Sequence, residues 1–153
     1  MEIQDFKKLE KKINYKFKNK ELLINALTHK TYAFEAKDPI EFNERLEFLG
    51  DCVLDIVVAE ELYKSNKYFS EGELTRRKSG LVNNSYLAEK AKEIDLGKYL
   101  YLGKGETAQG GSYNPTNIAN AFEALIGAVY LDSDLKTAKK FIINNLYKGS
   151  FEF

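Results

Sequence analysis

Apolar positions recur with the 3.6-residue period of helices along nearly the whole chain. Ile3, Phe6, Leu9 and Ile13 predict a charged amphipathic helix over Met1–Ile13. Leu22, Leu23, Ala26 and Leu27 predict a second over Lys20–Leu27, with Asn19 as its cap. Thr28–Tyr32 interrupts the pattern, and Asp38-Pro39 marks a turn. Asn43 then caps a long helix running to about Ser65. In it Leu46, Phe48, Leu49, Cys52, Val53 and Leu54 take up most of the circumference, so it should be largely buried. Ser70 and Glu73 form a capping box that opens a short basic helix, Glu71–Leu81. Asn84 or Ser85 starts the next, with Leu87, Ala88, Ala91 and Ile94 inward and Gly97 at its end. Tyr99–Leu102 is too short to assign as a strand, and the glycine-rich Gly103–Pro115 reads as a mobile loop. Thr116 caps a helix over Asn117–Leu131 that is apolar on all sides and therefore buried. A last helix, Ser133–Tyr147, carries Leu135, Ala138, Phe141, Ile142 and Leu146. The fold class is all-α.

The exceptions to this apolar pattern are acidic. Glu47, Asp51 and Asp55 recur every four residues on the long helix and form one stripe. Glu60 and Glu61 follow, and no basic residue stands between Arg45 and Lys64. From Ile118 to Leu131 the sole charge is Glu123, with Asn120 three residues before it on the same face. Carboxylates on apolar helices cost several kcal/mol each unless something compensates them. The compensation is a distant Lys or Arg, a raised pKa, or a metal ion. Gly50 sits beside Asp51 in mid-helix, where glycine costs about 1 kcal/mol against alanine, and close approach of another backbone would explain it. If the two helices cross there, Glu47, Asp51, Glu123 and the Asn120 amide converge. Metal site and buried salt-bridge network remain equally open on spacing alone.

Composition narrows the chemistry. The 153 residues, 44% apolar, suffice for one domain with a real core. Lys+Arg and Asp+Glu are 23 each, so net charge identifies no partner. The lysines of the N-terminal arm and Arg76-Arg77-Lys78 are local basic runs, which by themselves read as solvated helix faces. The single cysteine, Cys52, excludes an intrachain disulfide and fits a reducing cytoplasm. Met1–Lys20 is charged throughout and carries no secretory signal, and no apolar run of about 18 residues exists to span a membrane. His29 is the one histidine. A two-histidine ribonuclease mechanism and a Cys/His zinc site are both excluded, and His29 itself reads as a structural hydrogen-bonder. A ligand-rich site must be built of oxygen, which suits Mg²⁺ or Mn²⁺.

Asn43–Val53, NERLEFLGDCV, resembles the signature of the ribonuclease III family of double-stranded-RNA endonucleases. ALTHKTY at Ala26–Tyr32, EGELTRRKSGLV at Glu71–Val82, LGKGE at Leu102–Glu106 and NAFEALIGAVYLD at Asn120–Asp132 match further segments in order. The resemblance implies an all-α endonuclease domain working as a homodimer on duplex RNA, with a Mg²⁺-dependent carboxylate cluster in each subunit. It implies hydrolysis of both strands, leaving 5′-phosphate and 3′-hydroxyl ends with a short 3′ overhang. Ribosomal-RNA precursor processing and other RNA processing follow from it for a bacterial member. Carried over, the catalytic and metal-site acids are Glu47, Asp51 and Glu123, and Glu44 and Glu71 match two further acids of the cleavage centre. Arg76, Arg77 and Lys78 are candidates for phosphate contacts. No small-molecule cofactor is expected.

The pattern departs in two places. The family's other metal-site acid is usually Asp, and here it is Asn120, which keeps an oxygen but loses a charge. Reduced activity, or an inactive nuclease-like RNA-binding module, is the alternative this raises. Residues 1–153 are expected to be a single nuclease domain, with no double-stranded-RNA-binding domain in this chain.

Overall fold

The computed structural model describes residues 5–151. Ile3, assigned above to the first helix, lies outside them. The helices are α1 (Lys7–Ile13), α2 (Lys20–Leu27), α3 (Lys30–Glu35), α4 (Glu44–Ser65), α5 (Glu71–Val82), α6 (Asn84–Glu93), α7 (Lys104–Ala108), α8 (Pro115–Asp132) and α9 (Leu135–Leu146). Leu96–Tyr99 and Gly111–Tyr113 form single 3₁₀ turns. The fold is all-α, as the periodicity predicts.

The centre is the crossing of α4 and α8. On α8 every residue from Ile118 to Val129 except Asn120 is buried. α2 and α6 cover α8, while α5 and α9 pack on α4. The two central helices meet backbone to backbone. A Cβ built on Gly50 would collide with the carbonyl oxygen of Glu123, and one on Gly127 with that of Leu46. Close approach is thus the reason both positions accept the helix-weakening residue.

Several boundaries differ from the sequence reading, each for a local hydrogen-bonding reason. His29 does not merely interrupt a pattern. Its ring nitrogen accepts from the Thr31 amide at 3.3 Å and caps α3, a helix that is too short to show a period. Asn43 makes no side-chain cap on α4. It is buried and its amide instead donates to the carbonyl of Ala26 at 3.2 Å, tying the start of α4 to α2. α6 ends at Glu93 rather than Gly97, and Asp95 takes a left-handed φ of 55° before the 3₁₀ turn. Gly103–Pro115 is not a plain loop. It contains α7, and the Gly103 and Lys104 amides donate to Thr31 Oγ1 and Glu35, so α3 holds it. Asn114, not Thr116, caps α8, accepting from the Thr116 and Asn117 amides, with Pro115 in the first turn. The capping box at Ser70 and the Asn19 cap form as predicted. α4 is less enclosed than expected, because Phe48, Cys52 and Ile56 all face solvent.

Candidate carboxylate centre

The crossing brings acids of two helices to one place. A cleft of about 480 Å³ is lined by Glu44, Glu47, Phe48 and Asp51 of α4, Asn120 and Glu123 of α8, and Asn84 at the start of α6. Glu123 is only 7% exposed. Among the described residues, neither Glu47, Asp51 nor Glu123 has an ion-pair partner. Among the described residues no lysine or arginine compensates these three acids, and the fold itself raises their pKa values. Burial pushes the Glu123 carboxyl up to about 8, and the charges of Asp51, Glu47 and Asp55 push in the same direction. Burial likewise raises Glu47, aided by Glu44 and Asp51 and opposed by Lys30. Asp51 is raised by burial and by Asp55, against Lys78.

The rest of the acidic stripe is neutralised from other helices. Lys78 of α5 pairs with Asp55 at 3.3 Å. Lys64 and Lys139 hold Glu60, and Lys139 also holds Glu61 at 2.7 Å. At the rim, Glu44 has a long ion pair to Lys30, 3.6 Å.

Two expectations do not converge on this cleft. Glu71 lies outside it, exposed on α5 and accepting from the Thr75 hydroxyl at 2.9 Å. Of the basic run, Lys78 is taken by Asp55 and the Arg77 guanidinium lies 4.1 Å over the Phe69 ring, leaving Arg76 as the exposed member. Asn84, conversely, lines the cleft without any mark in the sequence. It starts a polar helix and reaches the site only because α6 packs on α8.

The lining suits a hard divalent cation: four carboxylates (Glu44, Glu47, Asp51 and Glu123) and two carboxamides (Asn84 and Asn120) offer oxygen donors, with neither His29 nor Cys52 among them. Among the described residues, no trio of His, Cys, Asp or Glu is already drawn into a closed cage. Like-charged carboxylates repel and gain nothing by closing on one another. The centre is a set of convergent but separated donors, held in an unfavourable charge state that a cation would relieve.

Comparison with known proteins identifies the family. The Ribonuclease-III-like family model matches residues 19–149. Ribonuclease 3 of Bdellovibrio bacteriovorus is 47% identical over 139 residues, covering 91% of this chain and 59% of its own length. Ribonuclease 3 of a Sulfurovum species is 49% identical over 144 residues, covering 94% and 62%. The chain thus spans about three-fifths of the length of these curated relatives. Among solved structures, the nuclease domain of a Campylobacter jejuni ribonuclease III superposes with a TM-score of 0.89 at 38% identity, covering 97% of this chain and all of that one. That structure is described as flexible in a region involved in dimer formation. A Dicer from Pichia stipitis superposes with a TM-score of 0.65 at 29% identity, covering 90% of this chain and 57% of its own.

Proposed function

The chain belongs to the ribonuclease-III-like family, and from that premise we propose that it is a divalent-metal-dependent endoribonuclease of double-stranded RNA. It hydrolyses phosphodiesters in both strands and leaves 5′-phosphate and 3′-hydroxyl ends with a short 3′ overhang. The observation that carries this reading is the set of Glu47, Asp51 and Glu123, which share one cleft with no ion-pair partner among the described residues.

Glu47, Asp51 and Glu123 would hold Mg²⁺ or Mn²⁺, with Asn120 contributing its carboxamide oxygen. The bound ion supplies an activated water and neutralises charge on the phosphoryl oxygens. The chain's own groups do the rest. Glu123 is buried at the floor of the cleft, and the mutually repelling carboxylates fix where a cation is wanted. Glu44, at the rim and only loosely paired with Lys30, stands where it can orient a water through its carboxylate. No side-chain nucleophile is required, in keeping with a cleft that lacks histidine and cysteine. A-form RNA exposes phosphates and 2′-hydroxyls rather than a readable major groove, so contact rests on backbone and shape. Arg76, Arg77 and Lys78 of α5 are the candidates for phosphate contact; Arg76 is exposed, while Arg77 lies over Phe69 and Lys78 pairs with Asp55.

The active form in this reading is a homodimer. Phe48 is 74% exposed and stands between the carboxylate cleft and an apolar groove lined by Leu22, Leu46, Leu49 and Leu131. A protruding aromatic and an adjoining groove on one face are the ingredients of a self-complementary two-fold contact. The whole protein would act in the cytoplasm on ribosomal-RNA precursors and other transcripts. No helix among the described residues is long and apolar enough to cross a membrane.

Asn120 favours a second reading, a nuclease-like module that binds RNA without cutting it. One experiment separates the two: incubation of a long RNA duplex with Mg²⁺ or with EDTA. Short double-stranded fragments only with Mg²⁺ are expected. Intact RNA in both, or cleavage in both, would overturn the metal-dependent nuclease. Sedimentation at micromolar concentration should give a dimer, and a monomer that still cuts both strands would refute the paired arrangement.

A further inference from the structure

A second concave surface lies on the opposite side of α8. Asp132 follows Glu123 by nine residues, about two and a half helical turns, so its side chain projects away from the carboxylate cleft and about 13 Å along the axis. Asp132 accepts from the Tyr15 hydroxyl at 2.7 Å and from the Lys18 and Asn19 amides at 2.9 Å each. Those bonds pin the α1–α2 connection to that far side. There a hollow of about 500 Å³ is lined by Lys7, Lys11, Tyr15, Lys16 and the Glu10–Lys20 ion pair.

The charge around this hollow is unbalanced, for a reason visible in the hydrogen bonds. Among the described residues, Glu10, Asp132 and Asp5 are engaged by the fold. Glu10 accepts from the Phe17 amide at 2.8 Å and pairs with Lys20. Asp132 takes three donors, and Asp5 accepts the Lys7 amide at 3.0 Å. Lys12 is paired with Asp95. Lys7, Lys8, Lys11, Lys16 and Lys18 have no carboxylate partner among the described residues. Lys7 and Lys11 lie one turn apart on α1 and share a face with the mouth of the hollow.

The exposed charged groups on this surface are lysines, and its one aromatic, Tyr15, is half-buried. Phe6, Leu9, Ile13 and Phe17 are all buried, and no large apolar side chain between Lys7 and Lys20 is exposed. A stable protein interface would want an aromatic or aliphatic centre, and membrane association an apolar face to insert. Here only the half-buried Tyr15 ring and the lysine stems are apolar. Flexible ammonium groups around a concavity fit phosphate oxygens, which need charge and reach rather than apolar complement.

We propose that this hollow and its lysines bind the phosphate backbone of RNA that flanks the cleaved duplex, as a docking surface separate from the carboxylate cleft. The proposal rests on the reading of the chain as an RNA-handling protein. The chain has no net charge to attract RNA, and its cleft is acidic. Separated positive surface adds attraction that the neutral average does not express.

The test compares the parent with a Lys7→Gln/Lys11→Gln/Lys16→Gln variant. All three side chains are exposed, so far-UV circular dichroism and melting temperature should not move. Two substrates are used: a short duplex that fills only the carboxylate cleft, and the same duplex with long structured RNA flanks. Cleavage of the short duplex should be unchanged. The flanked RNA should lose roughly ten-fold in kcat/KM near 0.1 M salt, and its binding should show a log–log salt slope shallower by about 2 to 3. Equal slopes and equal kcat/KM on the flanked RNA would overturn the docking surface. If neither protein cuts either substrate, the nuclease reading has failed, but binding of the flanked RNA in EDTA still tests the surface. Loss of binding to phosphatidylserine vesicles with no change toward RNA would give the lysines to a lipid headgroup and overturn the proposal.

Discussion

In the first half of α4, Glu47 and Asp51 face a cleft with no cation in ion-pair range, and burial raises both pKa values. In the second half, Glu60 and Glu61 carry the same chemistry in the opposite state. Lys64, one turn on, and Lys139, from α9, hold them, and the Lys64 hydrogen bond brings Glu60 below the usual carboxylate range. The acids of one helix therefore divide by what the neighbouring helices bring. α9 and α5 bring lysines to the far half, whereas α8 brings Glu123, another acid, to the near half. A run of carboxylates becomes a candidate centre only where the tertiary structure withholds its counter-charge.

The largest expected effect is at Glu123. Glu123→Gln should lower cleavage more than about a hundred-fold, the upper end of what even supporting groups at metal sites contribute. In EDTA at pH 8 the same change should leave stability equal or higher, because a buried charge is removed. Retained cleavage would erase the distinction between the two halves.

The pH dependence of stability comes next. A group with a folded pKa near 8 and an unfolded value near 4.5 binds more protons in the native state between those limits. The contribution is fully present below about pH 4.5 and is lost as pH rises through about 8, with a slope of at most roughly 1.4 kcal/mol for each step of one in pH. Urea unfolding in EDTA should show stability falling across that window, and Glu123→Gln should flatten the fall. Mg²⁺ or Mn²⁺ should restore stability at pH 8, since the metal favours the ionised form. A flat profile would mean that Glu123 is not held neutral.

A smaller change is expected from Asn120→Asp. The added carboxylate should lower the Mg²⁺ concentration for half-maximal cleavage by roughly ten-fold, within the range for groups around a metal. An unchanged requirement would make the position irrelevant to the ion. Smallest is Glu60→Gln, on the paired half: cleavage and metal requirement should both stay at the parent level, with at most a slight shift of the unfolding midpoint, since exposed ion pairs contribute little.

The sequence made much of this visible because the central helices are long and consistent. The spacing of Leu46, Leu54, Val57 and Leu62 and the unbroken apolar run of α8 need no tertiary information to be read. Gly50 beside Asp51 even signalled the crossing. What stayed hidden depends on contacts between distant segments. Asn43 looks like a cap until its amide is seen on Ala26. His29 and Asn114 cap helices whose starts carry no periodicity. Asn84 enters the cleft by helix packing alone, and Lys139 reaches back to Glu60 and Glu61 from a helix far along the chain. Phe48 was legible as apolar but not as exposed, since a residue facing solvent beside a groove is spelled like one facing a core.

The glycine crossing has one further implication. Because main chain rests on main chain at Gly50 and Gly127, the gap between the two carboxylate-bearing walls has a hard stop and cannot narrow. Any tightening around an incoming ion must come from rotation about the side-chain bonds of Glu47, Asp51 and Glu123. The scaffold behaves as a fixed caliper, and the adjustable jaws are the acid side chains alone.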